Sequence, residues 1–205
     1  MRFVFVHGWG FDPAVWDRVA EALPGFAQTR IDLGFLGGAP TATQFQPDDI
    51  LIGHSLGFLW GLTRHQDWRA VIAINGFARF AGAVEDGACV RPAALRALRL
   101  GLARDAEKTL ATFYRSLDHT ALIEHFDAPQ LAEGLALLET QQITKPLAMP
   151  GLVLAARNDP LVPVTACEHL AAIAGTTVTW REEGGHLLPL TQPQGCADAI
   201  RAFLA

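Results

Sequence analysis

The chain has 205 residues, half of them hydrophobic and 18% charged, with a formal net charge of -5. That balance excludes a disordered chain and leaves no overall electrostatic footprint for nucleic acid or an anionic membrane. One domain, 1–205, is expected at this length, as a monomer. Three widely separated cysteines (Cys89, Cys167 and Cys196) with no C-x-x-C pair argue against a disulfide framework or a thiolate zinc site, and fit a reducing cytoplasm.

The first element is a buried-type strand, Arg2 to Val6, ending in His7-Gly8-Trp9-Gly10. Its apolar run is too short for a signal peptide or a membrane span. Asp12 reads as an N-cap and Pro13 as the first residue of a helix running to about Leu23, which Pro24-Gly25 stops. A second strand spans about Ala27 to Leu33. Gly34 to Asp48 lacks helical periodicity and reads as a loop. Strand three, Asp49 to Gly53, leads into a helix from about Ser55 to His65, and strand four covers Ala70 to Asn75. Short continuous apolar runs alternating with helices predict a parallel sheet covered on both faces. After Gly76 the rhythm changes. Three helical stretches follow, Pro92–Leu102, Asp105–Leu117 and Asp127–Thr140, with leucine and aromatic stripes at helical spacing. The sheet pattern returns at Gly151–Ala156, followed by a helix Val164–Ala174, a strand Thr176–Trp180 and a closing helix Gln192–Leu204. The expected architecture is an α/β core interrupted by a helical insertion at 77–145.

Gly53-His54-Ser55-Leu56-Gly57 has the G-x-S-x-G form of a nucleophile elbow, in which a strand turns sharply into a helix at the serine. Glycines at both ends permit close backbone approach. A serine hydroxyl needs a base, and the base needs an acid to orient it and balance its charge. In open parallel sheets such groups gather beyond the C-terminal ends of strands. Asp159 follows the Gly151–Ala156 strand, and His186 follows the last strand, after two glycines that place it in a flexible, exposed position. The order Ser55, Asp159, His186 is that of a Ser-Asp-His hydrolase. Asp159 is alternatively a simple Asx-turn residue, with Asp32 as the fallback acid. His65, His119, His125 and His169 are expected to be exposed, and no histidine spacing indicates a metal.

An oxyanion needs two aimed N–H donors. The N–H of Leu56 is one candidate, and that of Trp9, in the glycine-rich turn after the first strand, is the other. The Trp9 indole either walls an acyl pocket or packs in the core. Arg79, Arg91, Arg96, Arg99, Arg104, Lys108 and Arg115 fall in or near the insertion, seven of the sixteen Lys plus Arg. They form either a surface that attracts acidic or phosphorylated partners or a solvated helix face paired with Glu85, Asp86, Asp105 and Glu107.

Together, His7-Gly8-Trp9-Gly10, Gly53-His54-Ser55-Leu56-Gly57, Asn158-Asp159-Pro160-Leu161-Val162-Pro163 and Gly185-His186 resemble the α/β-hydrolase superfamily. Val15-Trp16 after the opening motif, and Asp159-Pro160-Leu161-Val162-Pro163, are most similar to pimeloyl-[acyl-carrier protein] methyl ester esterases of biotin synthesis. That resemblance implies hydrolysis of a carrier-bound methyl ester, with Ser55, Asp159 and His186 catalytic and Trp9 and Leu56 as oxyanion donors. It also implies a helical cap at 77–145 and an acyl-carrier protein partner, which Arg91, Arg96, Arg99 and Arg104 are expected to meet; the expected acyl transfer needs no metal or organic cofactor. The first strand stands where the family's third strand falls, so the usual N-terminal hairpin is expected to be missing. The rival readings are an esterase or lactonase for a free small molecule, and a non-catalytic binding protein on the same fold.

Overall fold

A computed structural model describes residues 1–120 and 123–205. Residues 121 and 122, inside the expected cap, lie outside the described residues. Six parallel strands form one sheet: β1 (Arg2–Val6), β2 (Ala27–Ile31), β3 (Asp49–His54), β4 (Ala70–Ile74), β5 (Gly151–Ala156) and β6 (Val178–Arg181). Their order across the sheet is β2-β1-β3-β4-β5-β6. Every residue of β3 and β4 is buried, which explains the apolar or small-residue runs Ile50–Gly53 and Ala70–Ile74. The two edge strands, β2 and β6, keep polar residues facing water.

The helices are α1 (Asp17–Glu21), α2 (Leu56–Arg64), α3 (Pro92–Arg104), α4 (Ala106–Ser116), α5 (Ala128–Thr140), α6 (Val164–Ile173), α7 (Leu188–Thr191) and α8 (Pro193–Leu204). The helices α3, α4 and α5 all lie in the stretch between β4 and β5. Within it the described residues add only a 3-10 turn at Val84–Asp86 and isolated bridges, Arg79 to Gln142 and Ala81 to Val90. None of the described helices is long and apolar enough to cross a membrane.

Several boundaries differ from expectation for local reasons. The expected helix from Pro13 to about Leu23 is a 3-10 turn, Pro13–Trp16, capped by Asp12 Oδ1 accepting from the Ala14 N–H, and then the short α1. The strand β2 stops at Ile31 because the Asp32 N–H donates to Thr41 Oγ1 and Asp32 Oδ1 accepts from the Gly34 N–H, which turns the chain. The last strand is shifted to Val178–Arg181, and Leu188–Thr191 forms an unexpected helical turn.

This strand order fixes where chemistry can occur. From β1 the chain steps outward to β2, then returns across β1 to β3 and proceeds the other way. The direction of winding therefore reverses between β1 and β3. Crevices in open α/β sheets form beyond the carboxyl ends of strands at such a reversal. Here those ends carry His7-Gly8-Trp9-Gly10 and Ser55.

Candidate active site

Ser55 sits between β3 and α2 with φ 53 and ψ -123, a conformation that side chains adopt only when the surroundings impose it. Its N–H donates to the Ile74 carbonyl at the end of β4. A Cβ on Gly57 would lie 2.3 Å from the Val6 oxygen, and one on Gly53 would lie 2.3 Å from Phe58 Cα. Both contacts are with backbone, which cannot move aside. The two glycines of the pentapeptide are thus required by the approach of α2 to β1 and β3.

The first turn of α2 leaves backbone donors free, as every helix start does. The Leu56 N–H donates to no backbone carbonyl among the described residues, and neither does the Trp9 N–H. The Trp9 side chain is buried against the insertion. Its Nε1–H donates to the Leu131 carbonyl of α5 at 2.8 Å, and Phe113 of α4 meets its ring edge-on at 4.8 Å. Tyr114 O–H donates to the Gly10 carbonyl, and burial first, then Asp12, pushes the phenol up to about 12. The loop after β1 is therefore fastened to both α4 and α5. A cavity of about 260 Å³ runs from Leu56 along Trp60 and Arg64 of α2 and is also lined by Leu33, Phe35 and Gly134.

His186 and Asp159 meet across 27 residues of sequence. His186 Nδ1–H donates to Asp159 Oδ2 at 2.8 Å, and both side chains are buried. The sequence expectation of an exposed His186 is therefore corrected, since the residue is only 2% exposed. Asp159 Oδ1 accepts from the N–H groups of Leu161 (2.8 Å) and Val162 (3.0 Å), so its Asx-turn and its pairing with His186 use different oxygens. Burial alone would raise the Asp159 carboxyl. His186 and these two N–H donors outweigh it and hold the group below its ordinary value. Among the described residues His186 makes no hydrogen bond to Ser55 Oγ, a contact that often tightens only when substrate is bound.

Asp32, the fallback acid, does not meet His186. It follows β2 at one edge of the sheet, whereas His186 follows β6 at the other. Its own neighbour is His7, at 3.6 Å. The strands that carry Asp159 and His186 are adjacent.

Sequence reasoning passed over three buried polar residues here. His54 Nε2–H donates to the His186 carbonyl at 2.8 Å. Asn75 Nδ2 donates to the carbonyls of Gly185 and His186, and its Oδ1 accepts from the Ala156 N–H. His7 bridges β1 to the turn after β2, with Nδ1–H donating to the Gly8 carbonyl and Nε2 accepting from the Leu33 N–H. The signal for Asn75 was present in its position, a single amide closing a wholly apolar strand. His65 and His119 are half-buried rather than exposed. All three cysteines are free and buried, and burial holds their thiols well above the ordinary range. They are not thiolate nucleophiles. The described residues contain no metal-binding cluster.

Of the insertion arginines, Arg91 pairs with Glu85 at 2.6 Å and Arg99 pairs with Glu139. Arg96 and Arg104 form no ion pair among the described residues and are exposed. The four do not converge on Ser55; Arg96 and Arg99 border a groove between α3 and α5, and Arg104 borders another between α3 and α4.

The fold and this site define an α/β protein with a strained serine at a topological switch. The model of the alpha/beta hydrolase family matches residues 3–199, and the chain belongs to that family. A putative carbamate hydrolase, RutD, from Pseudomonas syringae pv. syringae (strain B728a) is 36% identical over 93 residues, covering 43% of this chain and 36% of the relative. The biotin biosynthesis bifunctional protein BioHC from Cellvibrio japonicus (strain Ueda107) is 26% identical over 98% of this chain and 47% of its own length. The chain thus spans less than half the length of either relative. Among solved structures, the enol-lactonase from Burkholderia xenovorans LB400 superposes with a TM-score of 0.80 at 17% identity, covering 99% of this chain and 90% of that one. At that identity the likeness is one of fold.

Proposed function

We propose that the protein is a serine carboxylesterase that hydrolyses the methyl ester of pimeloyl-[acyl-carrier protein], with Ser55, His186 and Asp159 as its catalytic residues. The observation that carries the ester-hydrolase part is the buried 2.8 Å bond between His186 and Asp159, formed beyond the same sheet end as the strained Ser55. His186 donates from Nδ1, which leaves Nε2 as the basic nitrogen. Ser55 Oγ attacks the ester carbonyl while His186 Nε2 takes its proton. The free N–H groups of Leu56 and Trp9 stabilise the oxyanion, with the N-terminus of α2 adding its dipole. The imidazolium, balanced by Asp159, protonates the departing alcohol. Water then repeats the sequence on the acyl-enzyme. No step requires a metal or organic cofactor.

The carrier-bound substrate is supported by the similarity to BioHC and by the exposed Arg96 and Arg104 on a helical cap, 77–145. A free small-molecule ester or lactone is the second reading. It is favoured by the pairing of Arg91 and Arg99 with acidic neighbours, which leaves fewer cations for an acidic partner. Turnover of a carrier-bound methyl ester against the same free ester separates the two. Loss of both activities in Ser55→Ala is expected, and near-wild-type turnover in that variant removes the proposed nucleophile. Complementation of a biotin-requiring strain lacking its methyl ester esterase tests the physiological substrate.

A further inference from the structure

His186 lies in a loop between β6 and α7, after two glycines that both have positive φ, at 124 and 61. Such a segment has little intrinsic reason to hold one conformation. The Asp159 bond fixes the tilt of the imidazole, yet it cannot by itself fix the backbone that carries it. That backbone is held by other groups. The His186 carbonyl accepts two hydrogen bonds, from His54 Nε2 at 2.8 Å and from Asn75 Nδ2 at 2.9 Å. The preceding Gly185 is gripped on both sides, its carbonyl by Asn75 Nδ2 at 2.7 Å and its N–H by Asn158 Oδ1 at 2.9 Å. The two donors, His54 and Asn75, come from the ends of β3 and β4, and the acceptor, Asn158, from the turn after β5. Asn75 is itself tied to β5, through Oδ1 to the Ala156 N–H and through its own N–H to the Leu154 carbonyl.

We propose that His54 and Asn75 are positioning residues for the base. Their shared grip on the His186 carbonyl sets the distance and direction from His186 Nε2 to Ser55. The inference rests on the assignment of Ser55 and His186 above. His54 is well made for this. It immediately precedes Ser55, so one peptide unit links the nucleophile to the group that holds its base. Its Nδ1 has no hydrogen-bond partner and abuts Gly8, where an added Cβ would come within 2.9 Å. Leaving a buried nitrogen unpaired is costly, and a phenyl or leucyl side chain there would avoid that cost. What histidine adds is the Nε2–H donor aimed at the His186 carbonyl. Burial and the nearby His186 also push its pKa down to about 3. His54 therefore stays neutral beside an imidazole, 4.9 Å away between ring centres, that must become positive during the reaction.

The test compares His54→Gln, whose amide can supply a donor near the Nε2 position, with His54→Phe, which fills the space without one. The probe is a p-nitrophenyl ester, and Ser55→Ala is run beside them. His54→Phe is expected to lose about 10²-fold in kcat with little change in KM, the scale of a misplaced catalytic group. His54→Gln is expected to recover most of that loss. The downfield 1H NMR signal of the His186 Nδ1 proton should persist in His54→Gln and broaden in His54→Phe. If Asn75→Asp folds, it is expected to repeat the kcat loss; if it does not fold, the His54 pair still decides. Equal kcat in His54→Phe and wild type overturns the proposal, as does an equal loss in both His54 variants. Near-wild-type turnover in Ser55→Ala overturns the triad instead, whatever the His54 variants do.

Discussion

Asp159→Asn is the sharpest perturbation of the proposed mechanism. The new amide has two ways to sit. With its oxygen toward the turn it keeps both bonds from the Leu161 and Val162 N–H groups, and its NH2 faces His186 Nδ1. The flipped orientation keeps one acceptor for His186 but points NH2 at two N–H groups. It loses two hydrogen bonds at about 0.5–1.5 kcal/mol each and leaves those donors unmatched in a buried turn. The first orientation should therefore prevail. It forces His186 into the other tautomer, with Nδ1 accepting and Nε2 protonated, so the nitrogen proposed to take the Ser55 proton can no longer do so. A tautomer error of this kind costs about 10⁴-fold in kcat in a serine hydrolase, or about 5.4 kcal/mol of barrier. The assay is kcat on a p-nitrophenyl ester, with the rate of fluorophosphonate labelling of Ser55 as an independent reading. The fold should survive, because the turn keeps its bonds. A folded Asp159→Asn enzyme within tenfold of wild type would refute the reasoning, and an equal loss in Asp32→Asn would shift the acid to the far edge of the sheet.

Gly57→Ala should destabilise by about 3 kcal/mol or more, read by thermal melting, because its Cβ would meet the backbone oxygens of Val6 and His7 at 2.3 and 2.5 Å. A melting point unchanged from wild type contradicts that contact. Tyr114→Phe leaves the buried Gly10 carbonyl without its donor and should cost about 1–3 kcal/mol by urea titration, with kcat falling as the Trp9 loop loosens. His54 gives a pH signature. Its folded pKa of about 3 lies below the ordinary 6.5, so the unfolded chain binds a proton that the folded chain does not. Stability should fall as pH drops through 6.5 and level off below about 3, with a slope of up to about 1.4 kcal/mol per pH unit from this group. His54→Gln should flatten that contribution, and parallel wild-type and His54→Gln curves between about pH 6 and 4 would count against it. Asp159, with its depressed pKa, contributes stability that is complete above the ordinary carboxyl range and is lost as pH falls through its folded value.

The primary structure alone determined the strand-and-helix rhythm and the elbow. Buried parallel strands must be apolar on both faces, so β1, β3, β4 and β5 announce themselves. The backbone clashes waiting at positions 53 and 57 demand glycine. The ends of β1, β3, β5 and β6 also marked Trp9, Ser55, Asp159 and His186 as candidates. The edge strands were read less well, because solvent on one side allows polar residues such as those in Ala27–Ile31 and blurs the pattern.

Only the tertiary structure decided which acid meets His186. Asp32 and Asp159 both follow strands and look equivalent along the chain. Strand order separates them, putting β2 at one edge and β5 beside β6 at the other. It likewise turned an apparently loose, glycine-led histidine into a buried one held by His54 and Asn75, residues 132 and 111 positions away. Hydrogen bonds between groups so distant in sequence leave no local periodicity. The elbow could thus be read from five residues, whereas the histidine proposed as its base is held by groups from the ends of four strands meeting in space.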